Sequence, residues 1–288
     1  MSALALTLVF IAAFTHATWN YAAKRSGGGL PFVWLTGLFS FGFYIPAIIG
    51  YCLWFRPSLP DVSLLLFIVS GVIKTGYALL LQRGYRHGDF SLIYPLARGT
   101  GPLLSTLAAI ILFGERPGAL ALAGGALIVA SVFYLTGGPK LWHTDRAHLR
   151  TGLLYGFTCG LCIAAYTVWD QHAVSHHALP PVIYDCGTQV VMCSILTPFA
   201  WPRRAEAAQA WRQHRGKILL VALLGPLGYV LILTAMTFTP VSYIAPAREI
   251  SILIGTFFGA KLLKEADSSR RLLAASGMVA GIIALALG

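Results

Sequence analysis

The second half of this chain repeats the first at a fixed distance. At an offset of 150 residues, Trp19 and Asn20 fall on Trp169 and Asp170, and Pro31 and Trp34 on Pro181 and Tyr184. Gly37 falls on Gly187, Ala97 and Arg98 on Ala247 and Arg248, Leu112 on Leu262, and Glu115 on Glu265. Pro95 and Pro246 are one residue out of step. A single offset shared by four separated segments marks an internal duplication. Each copy holds five apolar stretches: about 2–23, 30–54, 62–84, 91–114 and 118–137, then 151–170, 181–201, 217–238, 242–263 and 271–287. Most have the roughly 20 residues that a helix needs to cross a bilayer's hydrocarbon core. Charged residues make up 11% of the chain, against about 25% in soluble domains, and the mean hydropathy is +0.73. The expected fold is therefore an all-α integral membrane protein with ten transmembrane helices.

Five spans per copy is an odd number, so the second copy enters the membrane upside down. The result is a pair of inverted five-helix repeats, an architecture common among secondary transporters. Residues 1–138 form the first repeat, 139–150 a cytoplasmic linker and 151–288 the second repeat. The links 138–150 and 202–216 read as basic connections, and no soluble domain is evident. No basic segment precedes the first span and that span has a copy at 151–170, so it reads as retained rather than as a signal peptide.

Sidedness follows from lysine and arginine. Sixteen fall on one side of the ten spans, only Arg56 and Arg116 on the other, and Lys74, Arg98 and Arg248 within spans. The positive-inside rule makes the first side cytoplasmic. The expected location is the inner (cytoplasmic) membrane, multi-pass, with both termini on the outer side. The +11 net charge is spread between apolar spans, which argues against nucleic acid as a partner. The expected partners are a small-molecule substrate and membrane lipids, with the chain a monomer or homodimer.

Span 4 carries the most informative residues. Arg98 lies inside a 25-residue apolar stretch with Pro95, Gly99, Gly101 and Pro102 close by. A guanidinium there costs at least about 3 kcal/mol unless it faces a polar cavity or a partner. Proline and glycine also free backbone groups that a cavity satisfies and lipid does not. With its copy Arg248, Arg98 would flank the midplane as one of a pair of gates or of structural anchors. Lys74 sits near the centre of span 3 opposite Leu224 in the other copy, so it breaks the symmetry where an asymmetric solute would bind. Tyr77 shares its helix face. Glu249 points about 100° away from Arg248 around the helix. It would pair with Lys74 or Arg98, or carry a coupling proton. One acid against three bases leaves about two positive charges inside the spans, which favours carboxylates, phosphates or phosphonates.

Further candidates for the cavity wall are Tyr94, one turn before Arg98, with Trp19, Tyr166, Trp169, Tyr229, Tyr243 and His16. Trp19 and Trp169 also suit interfacial belts at helix ends. Asp170, His172, His176 and His177 read as a solvated outer loop rather than a metal site, and no cofactor is expected. Asp185 is placed near the outer mouth of span 7. Glu115 precedes Pro117 and reads as a cap for span 5. Gly277 and Gly281, with Gly124 and Gly125, offer small faces for close helix contact. The five cysteines read as small packing residues.

FTHATWN near the end of span 1, YPLARGTGP in span 4, LFGERPGALALAGGALIVA across spans 4–5 and APAREI…KLLKEA in the second half together resemble the EamA-type drug/metabolite transporter superfamily. The resemblance covers the chain as two consecutive units. In the second unit KEAD replaces GERP, so its turn lacks the glycine. HATWN also resembles a branch linked with phosphonate utilisation. The resemblance implies ten helices around a central cavity, alternating access and movement of small organic solutes, commonly outward. The leading expectation is thus a secondary transporter, not an enzyme, exporting small polar or anionic metabolites such as amino acids or phosphonate-like compounds. Its alternatives are an intramembrane enzyme and an exporter of cationic drugs or quaternary amines. No GxxxxGK loop is present, so gradients rather than ATP would drive it.

Overall fold

A computed structural model describes all residues except 25, 27–28, 88–89, 137–145, 253 and 255–267. At 24, 82, 85–87, 90–96, 135–136, 146–152 and 268–272 it describes the backbone alone. Among the described residues every regular element is helical. The first half contains α1 (Ala3–Lys24), α2 (Leu30–Phe55), α3 (Ser63–His87), α4 (Phe90–Phe113) and α5 (Ala119–Thr136). The second contains α6 (Arg146–Gln171), α7 (Pro181–Ala200), α8 (Arg204–Met236), α9 (Val241–Ala247) and α10 (Ser268–Leu287). Several are long and apolar enough to cross a membrane. Their outward faces carry large apolar side chains such as Ile45, Ile49, Leu53, Ile111 and Leu154, as lipid contact requires. The chain is a multi-pass membrane protein.

Two helices extend beyond their predicted spans. α6 continues through a π-helical turn, His172–His176, before Pro180 and Pro181 start α7. The link expected over 202–216 is mostly helix: α8 begins at Arg204 and kinks at His214, where φ is −134°. Trp211 in its first segment stacks on Phe39, with ring centroids 4.3 Å apart, which anchors that segment to the bundle.

Both termini meet at one end of the molecule. The Met1 ammonium donates to the Ala286 carbonyl at 3.0 Å, and the Tyr243 hydroxyl to the Gly288 carbonyl at 3.1 Å. At the same end Glu115 reaches across to α9. The Val241 and Ser242 amides donate to its two carboxylate oxygens, each at 2.9 Å. Glu115 therefore caps a helix of the other half rather than α5. A carboxylate just before α5 is also a carboxylate just before α9, because the two helices pack together here.

Helix pairing follows the offset. α1 packs on α8 as α6 packs on α3, and α2 on α8 as α7 on α3. The pairs α2–α7, α4–α9 and α5–α10 each join a helix to its own copy, and α4 also lies along α6. The main helix contacts therefore join one half to the other. The α5–α10 crossing explains the small residues: a Cβ at Gly124 would stand 2.6 Å from the Gly281 carbonyl oxygen and 2.8 Å from the Leu285 nitrogen. The GxxxG of α10 is spent inside one chain.

Candidate functional site

Polar side chains gather along the line where the halves meet, in two groups. The first lies toward the end that holds the termini. Asp170 stands in the last turn of α6 and is completely buried. Its carboxylate accepts from Ser70 at 2.5 Å, Tyr184 at 2.7 Å and Tyr229, and pairs with the Lys74 ammonium at 3.0 Å. Lys74 also faces Asp185 at 3.7 Å and donates to Thr188 at 3.2 Å. The Tyr44 hydroxyl donates to Asp185. The ammonium lies 4.3 Å from the Tyr229 ring centroid and 5.8 Å from those of Tyr166 and Tyr184. Five helices, α2, α3, α6, α7 and α8, are laced together by this one cluster.

The second group is built around the break in α9. Arg248 and Glu249 form a turn, with Ser251 and Ile252 bonding back to their carbonyls before helix resumes. Pro246, which lacks an amide hydrogen, and the turn together let the two side chains diverge from the helix course. Glu249 pairs with Arg98 of α4 at 3.0 Å, and Arg98 also donates to Ser251 at 3.1 Å. Arg248 points elsewhere. It donates to Thr167 of α6 at 3.3 Å and lies 5.6 Å from the Tyr229 ring, with no ion pair among the described residues. His16 of α1 is within electrostatic reach of both arginines.

The structure thus brings Lys74, Tyr77, Tyr166, Tyr229, Arg98, Arg248, Glu249 and His16 into one continuous region, Tyr77 lying 6.1 Å from Tyr166 between ring centroids. Trp19 stands at its edge against His16, at 4.9 Å. Trp169 instead donates its indole N–H to the Leu66 carbonyl at 3.1 Å, which ties α6 to α3. Tyr243 is occupied at the C-terminus. The side chain of Tyr94 lies outside the described residues.

Three expectations need correction. Asp170 is not part of a solvated loop, because α6 runs on through the π-turn and keeps it inside the bundle. Lys74 pairs with Asp170 and Asp185 rather than with Glu249, which takes the other partner expected of it, Arg98. The interior count changes with them. Among the described residues, Lys74, Arg98 and Arg248 stand against Asp170, Asp185 and Glu249, three charges of each sign, so the positive surplus disappears. Asp170 was detectable in the sequence through its register with Asn20. Asp185 had no such signal, since its counterpart is Leu35.

Among the described residues, the charged cluster of Lys74, Asp170 and Asp185 is not repeated in the other half. At the offset positions Asn20, Leu224, Leu35 and Leu220 replace Asp170, Lys74, Asp185 and Ser70, and Asn20 is exposed and bonded only to its own helix.

Residues 150–287 match the family model described as the EamA-like transporter family. The chain shares its fold with a solved structure described only as a crystal structure of a protein, with a TM-score of 0.75 at 16% identity over 98% of each chain. No curated protein matches the sequence.

Proposed function

We propose that this chain, an EamA-type membrane transporter by residues 150–287, is a secondary transporter that holds the oxyanion of a small organic solute on Arg248. The observation that carries this reading is the inequality of the three interior cations. Lys74 has two carboxylates and Arg98 has one, but Arg248 has a hydroxyl and an aromatic face. A guanidinium carries five N–H donors in a planar fork suited to a carboxylate or phosphonate, and most of that capacity is unused here. Tyr229, Tyr166 and Tyr77 beside it supply ring faces and hydroxyls for the rest of the solute.

Alternating access fits a charged cluster that the other half does not repeat. In this reading the Lys74–Asp170–Asp185 cluster is a gate at the end with the termini, which the positive-inside count assigns to the outside of an inner membrane. The inverted repeat supplies the opposite state: when the two halves exchange conformations, the outer cluster opens and the copy around Asn20 closes. Export is the direction that this reading favours, as the family resemblance implies.

Thermal-shift titration of the purified protein tests the solute class with L-amino acids, alkylphosphonates and tetraalkylammonium salts as probes. At 100 times its dissociation constant a binding solute adds about 2.7 kcal/mol. Carboxylate- or phosphonate-bearing solutes should stabilise wild type and leave Arg248→Gln unmoved. Stabilisation by quaternary amines alone, or an equal shift in Arg248→Gln, refutes the assignment.

A further inference from the structure

The charges of the outer cluster do not cancel where they stand. One ammonium, Lys74, serves two carboxylates. Asp170 is fully served: Ser70 and Tyr184 donate to Oδ1, and Tyr229 and Lys74 reach Oδ2. Asp185 is not. Tyr44 donates to its Oδ2, while Oδ1 faces the ammonium across 3.7 Å, beyond hydrogen-bond length. Arg98 is engaged by Glu249, and Arg248 donates to Thr167 and lies against the Tyr229 ring, with no ion pair to Asp185. Asp185 is 7% exposed, so one negative charge is left over in a site nearly free of water. A buried carboxylate without its own counter-charge is relieved by binding a proton.

The fold does not require this arrangement. In the other copy the equivalent positions are Leu35, Leu224 and Asn20, and the chain packs there without a charge. Water also approaches the start of the helix that carries Asp185. A cleft of about 500 Å3 opens at the end that holds the termini, lined by Tyr51, Phe55, Pro57, His177 and Pro180 among others. Pro180 precedes the first residue of α7, so Asp185 lies roughly 7.5 Å further along the chain at 1.5 Å per residue. Tyr44, which holds Asp185, is about two turns along α2 from Tyr51. His177 stands on the cleft wall.

We propose that Asp185 is a reversible proton-binding site loaded from this cleft, with Lys74, shared between Asp185 and Asp170, as the group that senses its state. Water supplies the proton, which forms an O–H bond on the Asp185 carboxyl; Lys74 stays an ammonium and closes fully on Asp170. Release returns the proton to water and divides Lys74 between two carboxylates again. The cluster's net charge moves between −1 and 0. The groups that face Asp185 are Tyr44 from α2, Lys74 from α3, Asp170 from α6, and Tyr184, Cys186 and Thr188 from its own helix. In the transporter reading this proton is the coupling ion; the site itself stands without that reading, and its test uses no solute.

The test is a pH titration of the full-length protein in lipid nanodiscs by infrared difference spectroscopy, following the C=O band of protonated carboxyls. Wild type should show a titrating band that Glu249→Gln keeps and Asp185→Asn loses. Tyr44→Phe removes a donor to the ionised form, so its midpoint should move to higher pH by about one unit, a tenfold gain in proton affinity. A wild type without a titrating band, a band that persists in Asp185→Asn, or an unmoved midpoint in Tyr44→Phe overturns the proposal. Should Asp185→Asn fail to fold, the Tyr44→Phe midpoint decides.

Discussion

Lys74→Met is the sharpest probe of what holds the two halves together. The substitution keeps an unbranched side chain of similar length, with sulfur in place of the Cδ methylene, and removes the ammonium. At an effective dielectric constant of about 20, unit charges 3.0 Å apart attract by about 5.5 kcal/mol, and at 3.7 Å by about 4.5 kcal/mol. Taking the charges out of water offsets much of both terms, so these gross attractions are not the stability lost. The loss comes from what remains: two buried carboxylates facing each other with no cation, in a cluster where Asp170 is 0% exposed. Breaking a buried pair by removing one partner costs about 3–5 kcal/mol. The same reasoning makes a less obvious demand. The triple variant Lys74→Met, Asp170→Asn, Asp185→Asn buries no charge, so it should recover most of the loss and lie within about 2 kcal/mol of wild type. Reversible unfolding in mixed micelles, by added dodecyl sulfate and tryptophan fluorescence, measures all three proteins. Added salt should change none of the differences, because mobile ions do not reach a buried cluster. A cost below about 1 kcal/mol for Lys74→Met would mean that the pair behaves as a surface ion pair. A triple variant worse than the single would mean that hydrogen-bond geometry, not charge balance, stabilises the cluster. Either result refutes the argument.

Three further substitutions test the helix contacts that frame the site. Gly124→Val at the α5–α10 crossing sets a side chain against backbone atoms of α10, and the helices must separate; it should cost about 2–3 kcal/mol in the same unfolding assay. Gly42→Ala, which meets nothing within 4 Å, should change stability by no more than about 0.5 kcal/mol. Glu115→Gln weakens two charge-assisted bonds to the start of α9 and should cost about 1–2 kcal/mol, with faster amide hydrogen exchange at Val241 and Ser242.

The fold could be read from the chain because its governing signals are one-dimensional. Apolar length locates the helices, the offset of 150 residues relates the halves, and both survive without any knowledge of side-chain direction. The site was most legible where a residue violated the surrounding solvent, as Arg98, Lys74 and Arg248 do in apolar helices, and Asp170 was marked by its register with Asn20 alone. Asp170 and Asp185 violate nothing locally, because each stands next to a helix end where a carboxylate in water would be ordinary. Their burial is a tertiary fact, produced when the π-turn after α6 and the Pro180–Pro181 start of α7 bring both acids under Tyr44 and Tyr229. The charge balance inside the bundle therefore could not be counted from the sequence. Two acids at the margins of their spans convert an apparent surplus of two positive charges into three matched by three. The surviving asymmetry is local: one carboxylate with too few donors and one guanidinium with none of the carboxylates. That separation is what a carrier needs, since a proton and an oxyanion can then each be bound where its charge is missing.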